Sequence, residues 1–510
     1  PQMARFLAKR LGLALGILFL LSVIMYLLLD VALDPLDDLR ANPSPNRDQM
    51  IANRVQLLEL DQPVWVRYWH WLTRFVRGDF GLAWRSMQPV KDLLSTAIPT
   101  SIQLVFSATI IALLLGVTVG VMSALRQYTG FDYAITFVAF LLYSLPIFWV
   151  TVLLKQFVAI GLNDFINNPV VDWTLVTAVS AVAALFWMGA LGGDLRRRLI
   201  VLGLAFAATF GALAYLLASG FVQHPHFGVI GVGVASVGTA LVATVLFAGL
   251  NNRRALYSAL TTAVVAIVMW FACQWIFYYI QASWLLIIGL FISAIAVGAL
   301  IGWLFGGPDR VVSMRGGVIV ALVGAVMTFV DRIFQGWEEY SASGLIRGRP
   351  IATIGAEMPG LNGDFWFTQL DKFTHVLLPT IALVMISFAA YTRYQRGAML
   401  EVLTQDYIRT ARSKGLPERL VIVRHALRNA LMPLASVVPV DFMAMIGGAV
   451  ITETIFSWSG MGRLFVRSLQ QSEVDPVMVY VMIVGFLAMM ANLIADFLYA
   501  IIDPRIRVNA

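Results

Sequence analysis

Twelve apolar runs divide the chain: residues 11–29, 101–125, 133–160, 172–191, 199–219, 229–250, 255–280, 284–305, 317–331, 376–392, 434–455 and 477–500. A helix of about 20 residues crosses the ~30 Å hydrocarbon layer of a bilayer, and most of these runs are that long. Lipid offers no partner for a bare backbone amide, so runs of this kind predict helices. The shortest, 317–331, fits a tilted, half-inserted or longer helix. The chain therefore reads as an all-α polytopic membrane protein.

The polar residues between the runs predict sidedness. Arg5, Lys9 and Arg10 precede the first run, which places the N-terminus on the cytoplasmic side. Counting crossings from there, the inside loops carry Arg126, Arg196-Arg197-Arg198, Arg253-Arg254, Arg310 with Arg315, the basic stretch 393–428, and Arg505 with Arg507. The short outside turns 220–228 and 281–283 carry no Lys or Arg. Charge and span count agree, so an even number of spans and two cytoplasmic termini are expected. The net charge of +7 then reflects topology and not nucleic-acid binding. With 59% hydrophobic and 13% charged residues, the chain has too few charges to cover a soluble domain of its 510 residues. The one cysteine, Cys273, excludes an internal disulfide and a thiolate metal cluster. Met3 reads as the natural start, and the first run as a retained helix, because no small-residue cleavage site follows it.

Two long segments, about 30–100 and 332–375, fall on the outside. In Pro63–Arg77, Arg67, His70, Arg74 and Arg77 recur at helical spacing among Trp65, Tyr68, Trp69, Trp71, Leu72 and Phe75. That pattern fits an amphipathic helix at the membrane surface, or equally an ordinary helix packed on the spans. Asn42-Pro43-Ser44-Pro45-Asn46 before it reads as a turn.

The inside loop Arg393–Pro433 is far longer than the others. Its sequence predicts a helix over Gln405–Lys414, a stop at Gly415, and a second helix from Pro417-Glu418 through Asn429. Ala411, Leu420, Ile422, Val423, Ala426 and Leu427 give this basic hairpin apolar faces. A basic, partly apolar hairpin at the cytoplasmic face has to dock on a partner protein or on anionic lipid. Asp441 lies within a span, where a carboxylate is costly, and either lines a pathway or sits near the cytoplasmic end, paired or wetted. Lys155 reads as a side chain snorkelling to the interface. His224 and His226 flank Pro225 in a polar turn, two ligands being too few for a firm metal site. Glu453 opens a re-entrant outside segment that ends at Gly462, a candidate outer gate. No GxxxxGK[ST] phosphate loop occurs.

The stretch Asp406-Tyr407-Ile408-Arg409-Thr410-Ala411-Arg412-Ser413-Lys414-Gly415-Leu416, followed by Arg424-His425-Ala426-Leu427-Arg428-Asn429-Ala430 and Pro433, resembles the cytoplasmic loop of dipeptide/oligopeptide ABC importer permeases. Arg409-Thr410-Ala411 stands where the general importer motif has Glu-Ala-Ala, and Gly415 at its glycine. The resemblance extends to Leu60-Asp61-Gln62-Pro63, Arg77-Gly78-Asp79-Phe80-Gly81, Ser144-Leu145-Pro146-Ile147-Phe148-Trp149, Gly447-Gly448-Ala449-Val450, Glu453-Thr454-Ile455-Phe456, Gly460-Met461-Gly462 and Asp503-Pro504-Arg505. Asp34-Pro35 without a preceding Pro-Gly, Ser459 in place of proline, and Asp441 in place of an amide depart from the family pattern.

The resemblance implies a type I ABC importer permease core of six transmembrane helices in a prokaryotic inner membrane. About six further helices would be inserted. Residues 1–161 would be the N-terminal part of the core, 162–345 the insert, and 346–510 the C-terminal part with the coupling loop. It further implies no catalysis and no cofactor in this chain, ATP and Mg being held by two cytoplasmic ABC ATPase subunits. The other partners would be a second homologous permease, an extracytoplasmic substrate-binding protein and membrane lipid. Asp406, Arg409, Thr410, Ala411, Lys414, Gly415, Leu416 and Arg419 would form the docking loop, and Asp441 and Glu453 the pathway or outer gate. Di- or oligopeptides are the implied cargo. A haem, metal chelate or oligosaccharide carried by the same machinery is the alternative, and an ion-coupled secondary transporter is a different class of reading.

Overall fold

The computed structural model describes residues 2–41 and 43–502. Asn42, Asp503, Pro504, Arg505 and Arg507 lie outside the described residues, as do the side chains of Arg5, Lys9 and Arg10. Among the described residues, 12 helices are long and apolar enough to cross a membrane.

The chain enters with α1 (Gln2–Ala32) and then a segment carrying α2 (Val64–Val76) and a small antiparallel pair, β1 (Leu82–Ala83) with β2 (Gln88–Pro89). Helix α2 settles the choice left open by its sequence. Tyr68 and Trp71 are buried on Tyr26 of α1, while Trp65 and Trp69 remain 62% and 61% exposed. Arg67 is held by Asp30 at 2.7 Å. The helix thus packs on the spans with one face and leaves indoles free for the interface with another.

Helix α3 (Val90–Leu125) crosses next, followed by α4 (Gly130–Ser144) and α5 (Ile147–Asn167). The run 133–160 was expected to be one helix, and here the structure differs. Leu145 and Pro146 are extended, with ψ of 128° and 130°. Proline has no N–H to continue the helix and forces the residue before it out of the α region. The two pieces still make one passage, because Asp132 of α4 meets Arg396 while Ala159 of α5 packs near Trp366 and Leu370.

The region between α5 and the last third is two bodies. Helices α6 (Trp173–Leu191) and α7 (Leu195–Ala218) form a hairpin, and α7 has no buried residue. Helices α8 (Gly228–Phe247), α9 (Arg253–Tyr279), α10 (Trp284–Phe305) and α11 (Arg310–Phe334) form a four-helix unit. The short run 317–331 is thus a full 25-residue span. Gly317 lies against the backbone of Gly298 in α10, so a glycine that weakens the apolar pattern is where two helices touch.

Helix α12 (Phe365–Leu403) is followed by α13 (Asp406–Ser413), α14 (Met432–Gly448), the short α15 (Val450–Ile455) and α16 (Met461–Gln470), and α17 (Val474–Ile502). The central contact is α3 against α12, running parallel. Ala112, Gly116 and Gly120 recur every four residues on the buried face of α3. A Cβ at Gly116 would come within 2.7 Å of the Tyr391 Cβ, and one at Gly120 within 2.8 Å of the Gln395 Cβ. Small residues at this spacing let backbones approach in lipid, where apolar burial gives no net drive and close contact must supply it.

The basic loops at Arg126, Arg253-Arg254 and 406–430 each lie against the helix ends of one face. Arg126 bonds the C-terminus of α6, Arg254 reaches Gly307, and Arg419 bonds the C-terminus of α8. The turns at 220–228 and 281–283 lie at the other end, where Gln223 meets Trp337 and Ala282 packs near Trp366.

Gly120→Leu should overpack this contact and cost about 1–3 kcal/mol or more, lowering the thermal midpoint in detergent. Leu114→Ala, on a face of α3 that is 65% exposed, should leave the midpoint nearly unchanged.

Candidate functional site

The loop after α12 folds as a compact hairpin. Helix α13 closes at Lys414, whose N–H bonds Thr410 O at 3.1 Å. Gly415 then takes φ +73°, a conformation that costs glycine little and other residues more, and its N–H bonds Arg412 O at 2.9 Å. The second arm is helical through Glu418–Leu420, a π turn at Val421–Ala426, and Leu427–Ala430. Arg412 clasps the two arms by a bidentate pair with Glu418, at 2.6 and 3.1 Å.

One side of the hairpin is apolar and fused to the spans. Ile408, Ala411, Val421, Ala426 and Ala430 are buried against Ala124 of α3 and Ala398 and Met399 of α12. The other side is bare. Asp406, Arg409, Thr410, Lys414 and Gly415 are exposed, and Leu416 is half-buried. The Arg409 guanidinium pairs with the exposed Asp406 of its own helix, at 3.5 Å. Two of the expected docking residues face inward: Ala411 is 6% exposed, and Arg419 donates to Val245 O of α8 at 2.6 Å.

Above the hairpin lies a charge pair that sequence reasoning missed. Arg396 of α12 grips Asp132 of α4 through Nε–Oδ1 at 2.6 Å and Nη2–Oδ2 at 2.7 Å. Ser123 of α3 adds a bond to the same carboxylate at 2.5 Å, and the Tyr128 N–H another at 3.1 Å. Three helices thus converge on one group that is 1% exposed. Asp132 stands three residues after the α4 N-cap, Thr129, where a carboxylate suits an exposed helix start, so nothing in the local pattern marks it as buried.

Asp441 sits in α14, half-buried beside the hydroxyl of Tyr391. Glu453 is fully buried and closes a clasp at the opposite end. Its Oε1 accepts from Ser101 of α3 at 2.6 Å, and Oε2 accepts from the N–H groups of Gly462 and Arg463 at 2.7 and 3.2 Å. The carboxylate thereby satisfies the N-terminus of α16. A side chain at Gly460 would occupy its space. The indole of Trp458, buried alongside, donates to Thr100 O at 3.1 Å. Lys155, expected to snorkel, instead donates to Ile455 O at 2.7 Å and lies 5.1 Å from the Phe456 ring. His224 pairs with Glu338 at 3.0 Å. A second unforeseen cluster ties down the outer end of α12, where Asp371 accepts from the Tyr340 hydroxyl and the Met358 N–H, each at 2.9 Å.

Residues 316–508 match the family model of the binding-protein-dependent transport system inner membrane component, and residues 3–105 match the model of the N-terminal part of such membrane components. The chain belongs to this family. Similar members are the oligopeptide transport system permease protein OppB of Mycobacterium tuberculosis, 40% identical over 155 residues (30% of this chain, 48% of the relative); the oligopeptide transport system permease protein AppB of Bacillus subtilis, 46% identical over 140 residues (28% and 44%); and the dipeptide transport system permease protein DppB of Escherichia coli, 43% identical over 148 residues (29% and 42%). The alignments cover somewhat less than half the length of these relatives. The inner-membrane-component match takes in the hairpin, the Glu453 clasp and α12, and the N-terminal match takes in α2, the β pair and the Ser101 end of α3.

In this family member, Arg396→Ala should cost about 3–5 kcal/mol, because it strands a buried carboxylate. Asp132→Ala with Arg396→Ala together should cost less than the two single losses added, as thermal unfolding of the four variants would show. The Arg412 pair holds the Glu418 carboxyl below its ordinary range. A lowered carboxylate contributes stability that is complete at neutral pH and is lost as the pH falls through the folded value. The pair is largely exposed, so its contribution is at most about 0.5 kcal/mol. Hydrogen exchange across 406–430 should quicken slightly more between pH 7 and ~3 in the wild type than in Glu418→Gln, after correction for intrinsic rates.

Proposed function

We propose that this chain is the membrane-spanning permease subunit of an ATP-driven importer, moving di- or oligopeptides into the cytoplasm. The observation that carries this is the hairpin, whose apolar side is fused to α3 and α12 while its basic side presents Arg409, Thr410, Lys414 and the Gly415 turn. On this reading the basic face is cytoplasmic, both termini included, and the bare side seats in a groove of a separate ABC ATPase. ATP and Mg belong to two such subunits. This chain contributes no catalytic group, and the phosphate loop it lacks comes from those partners.

Hydrolysis would change the spacing of the ATPases. A hairpin welded to two long parallel helices would carry that displacement into the membrane as a tilt of the bar. Two permease cores facing each other would then open alternately to either side, nucleotide biasing one arrangement over the other. Ser101, Trp458 and Glu453 would fix the outer end of the bar to the re-entrant α15–α16 segment, so that the two ends move together. Peptide cargo is taken from the names of the similar permeases, and delivery is assigned to an extracytoplasmic binding protein. Residues 162–345 are read as an addition to a six-span core, reaching the hairpin through Arg419 and Val245.

Co-purification with the neighbouring gene products and substrate-stimulated ATPase activity test this. Ala411 is a poor probe, because it is packed within its own chain. Arg409→Glu with Lys414→Glu alters only exposed charge, and Gly415→Val meets open space while straining the turn. Both variants should lower stimulated activity at least about tenfold or lose the ATPase on purification. Undiminished stimulated activity in both would sink the proposal.

A further inference from the structure

Helices α4 and α6 meet near the basic face. There the Phe131 and Phe186 rings stand edge-on with centroids 5.3 Å apart, and a Cβ on Gly189 would come within 2.9 Å of the Phe131 Cβ. Farther into the membrane the two helices leave a groove of about 500 Å³ between them. Its walls include Ile135 and Val138 of α4 and Val182 and Leu185 of α6. The last three are 41%, 68% and 56% exposed, so the helices do not close on each other there.

The mouth of this groove is cationic. Arg126 and Arg198 both line it. Arg126 donates from Nε to Ala190 O at 3.0 Å and from Nη2 to Leu191 O. Both acceptors are carbonyls at the C-terminus of α6, whose partial negative charge offsets the cation only in part. Arg198 is exposed in the first turn of α7, beside Arg196 and Arg197. Among the described residues neither Arg126 nor Arg198 forms an ion pair with a carboxylate. Asp132, the acidic residue nearest to Arg126 along the chain, is committed to Arg396. Asp194 at the head of α7 stands against three arginines.

An apolar groove open to lipid, with cations not fully offset where helices leave the membrane, matches a ligand with an anionic head and an apolar tail. We propose that this seam holds one anionic phospholipid. Its phosphate lies between Arg126 and Arg198, and an acyl chain runs along Val138, Val182 and Leu185. The lipid fills the space by which the α6–α7 hairpin, itself poor in buried surface, leans on the core helix α4. It is part of the joint between those two bodies.

The test uses the full purified chain, delipidated in detergent, with binding read by native mass spectrometry and by thermal midpoint. Phosphatidylglycerol, phosphatidylcholine and inorganic phosphate are the probes. The expected result is one tightly retained phosphatidylglycerol that raises the midpoint, is not replaced by phosphatidylcholine and is not displaced by phosphate. Arg198→Gln, at an exposed position, should weaken its binding about fivefold, as loss of one interfacial cation does. Arg198→Lys should restore it. Val182→Trp, which fills the groove and leaves the arginines in place, should abolish it while the midpoint of the lipid-free protein holds. Equal binding of phosphatidylcholine would overturn the proposal, as would displacement by phosphate or wild-type affinity in both Arg198→Gln and Val182→Trp.

Discussion

Helices α3 and α12 touch backbone to backbone, and the rest of the molecule hangs on that contact. In lipid, two apolar helices gain little by hiding from their surroundings, so they must fit more closely to each other than to acyl chains. Gly116 and Gly120 make room for the Cβ atoms of Tyr391 and Gln395. Everything of functional interest is bolted to this bar. The Glu453 carboxylate holds its outer end through Ser101, the Asp132–Arg396 pair ties α4 across its inner part, and the hairpin continues from its foot. A buried ion pair is weak evidence for stability in itself, but one that joins three helices fixes their register, since either charge left alone is very costly.

The hairpin has two sides with different duties. Its alanines and Ile408 make it an extension of the spans, and Arg409, Thr410, Lys414 and the Gly415 turn stay exposed on the other side. Such a division suits an element that receives a push on one side and passes it on through the other. Because the apolar side is packed on both α3 and α12, a displacement cannot be absorbed by bending at the α12–α13 junction alone. The bond from Arg419 to the end of α8 gives the four-helix unit a hold on the same element.

Much of this was legible in the chain. Twelve spans, the basic face, the hairpin with its stop at Gly415 and the helix at 64–76 follow from apolar period, charge and turn chemistry, all of which are local. Most of what escaped depends on tertiary partners. Pro146 was visible, yet one apolar run covered it and hid the break. Arg310, Ser313 and Arg315 before the run 317–331, and Arg332 after it, hid the ends of a helix that continues through them over Arg310–Phe334. Asp132 looked like an ordinary helix-start carboxylate until Arg396, 264 residues away, was brought to it. Ala411 and Arg419 sit in the loop expected to dock outward, but only packing tells which face of each short helical arm points home. The pairing of Lys155 with a backbone carbonyl was equally out of reach, since snorkelling and capping use the same side chain at the same depth.

Rigidity between the hairpin and the far end of α12 is the claim on which the mechanism turns. It is tested most directly by spin-label distances in the assembled transporter, with labels at Arg409→Cys and Asn362→Cys of one chain in a Cys273→Ala background. On the proposed importer reading, the distance within that chain should stay constant between nucleotide-free and nucleotide-trapped states, while the distance from its hairpin to that of the proposed second permease changes. A shift within the chain as large as the shift between chains would contradict it, because the hairpin would then be a hinge and not a lever.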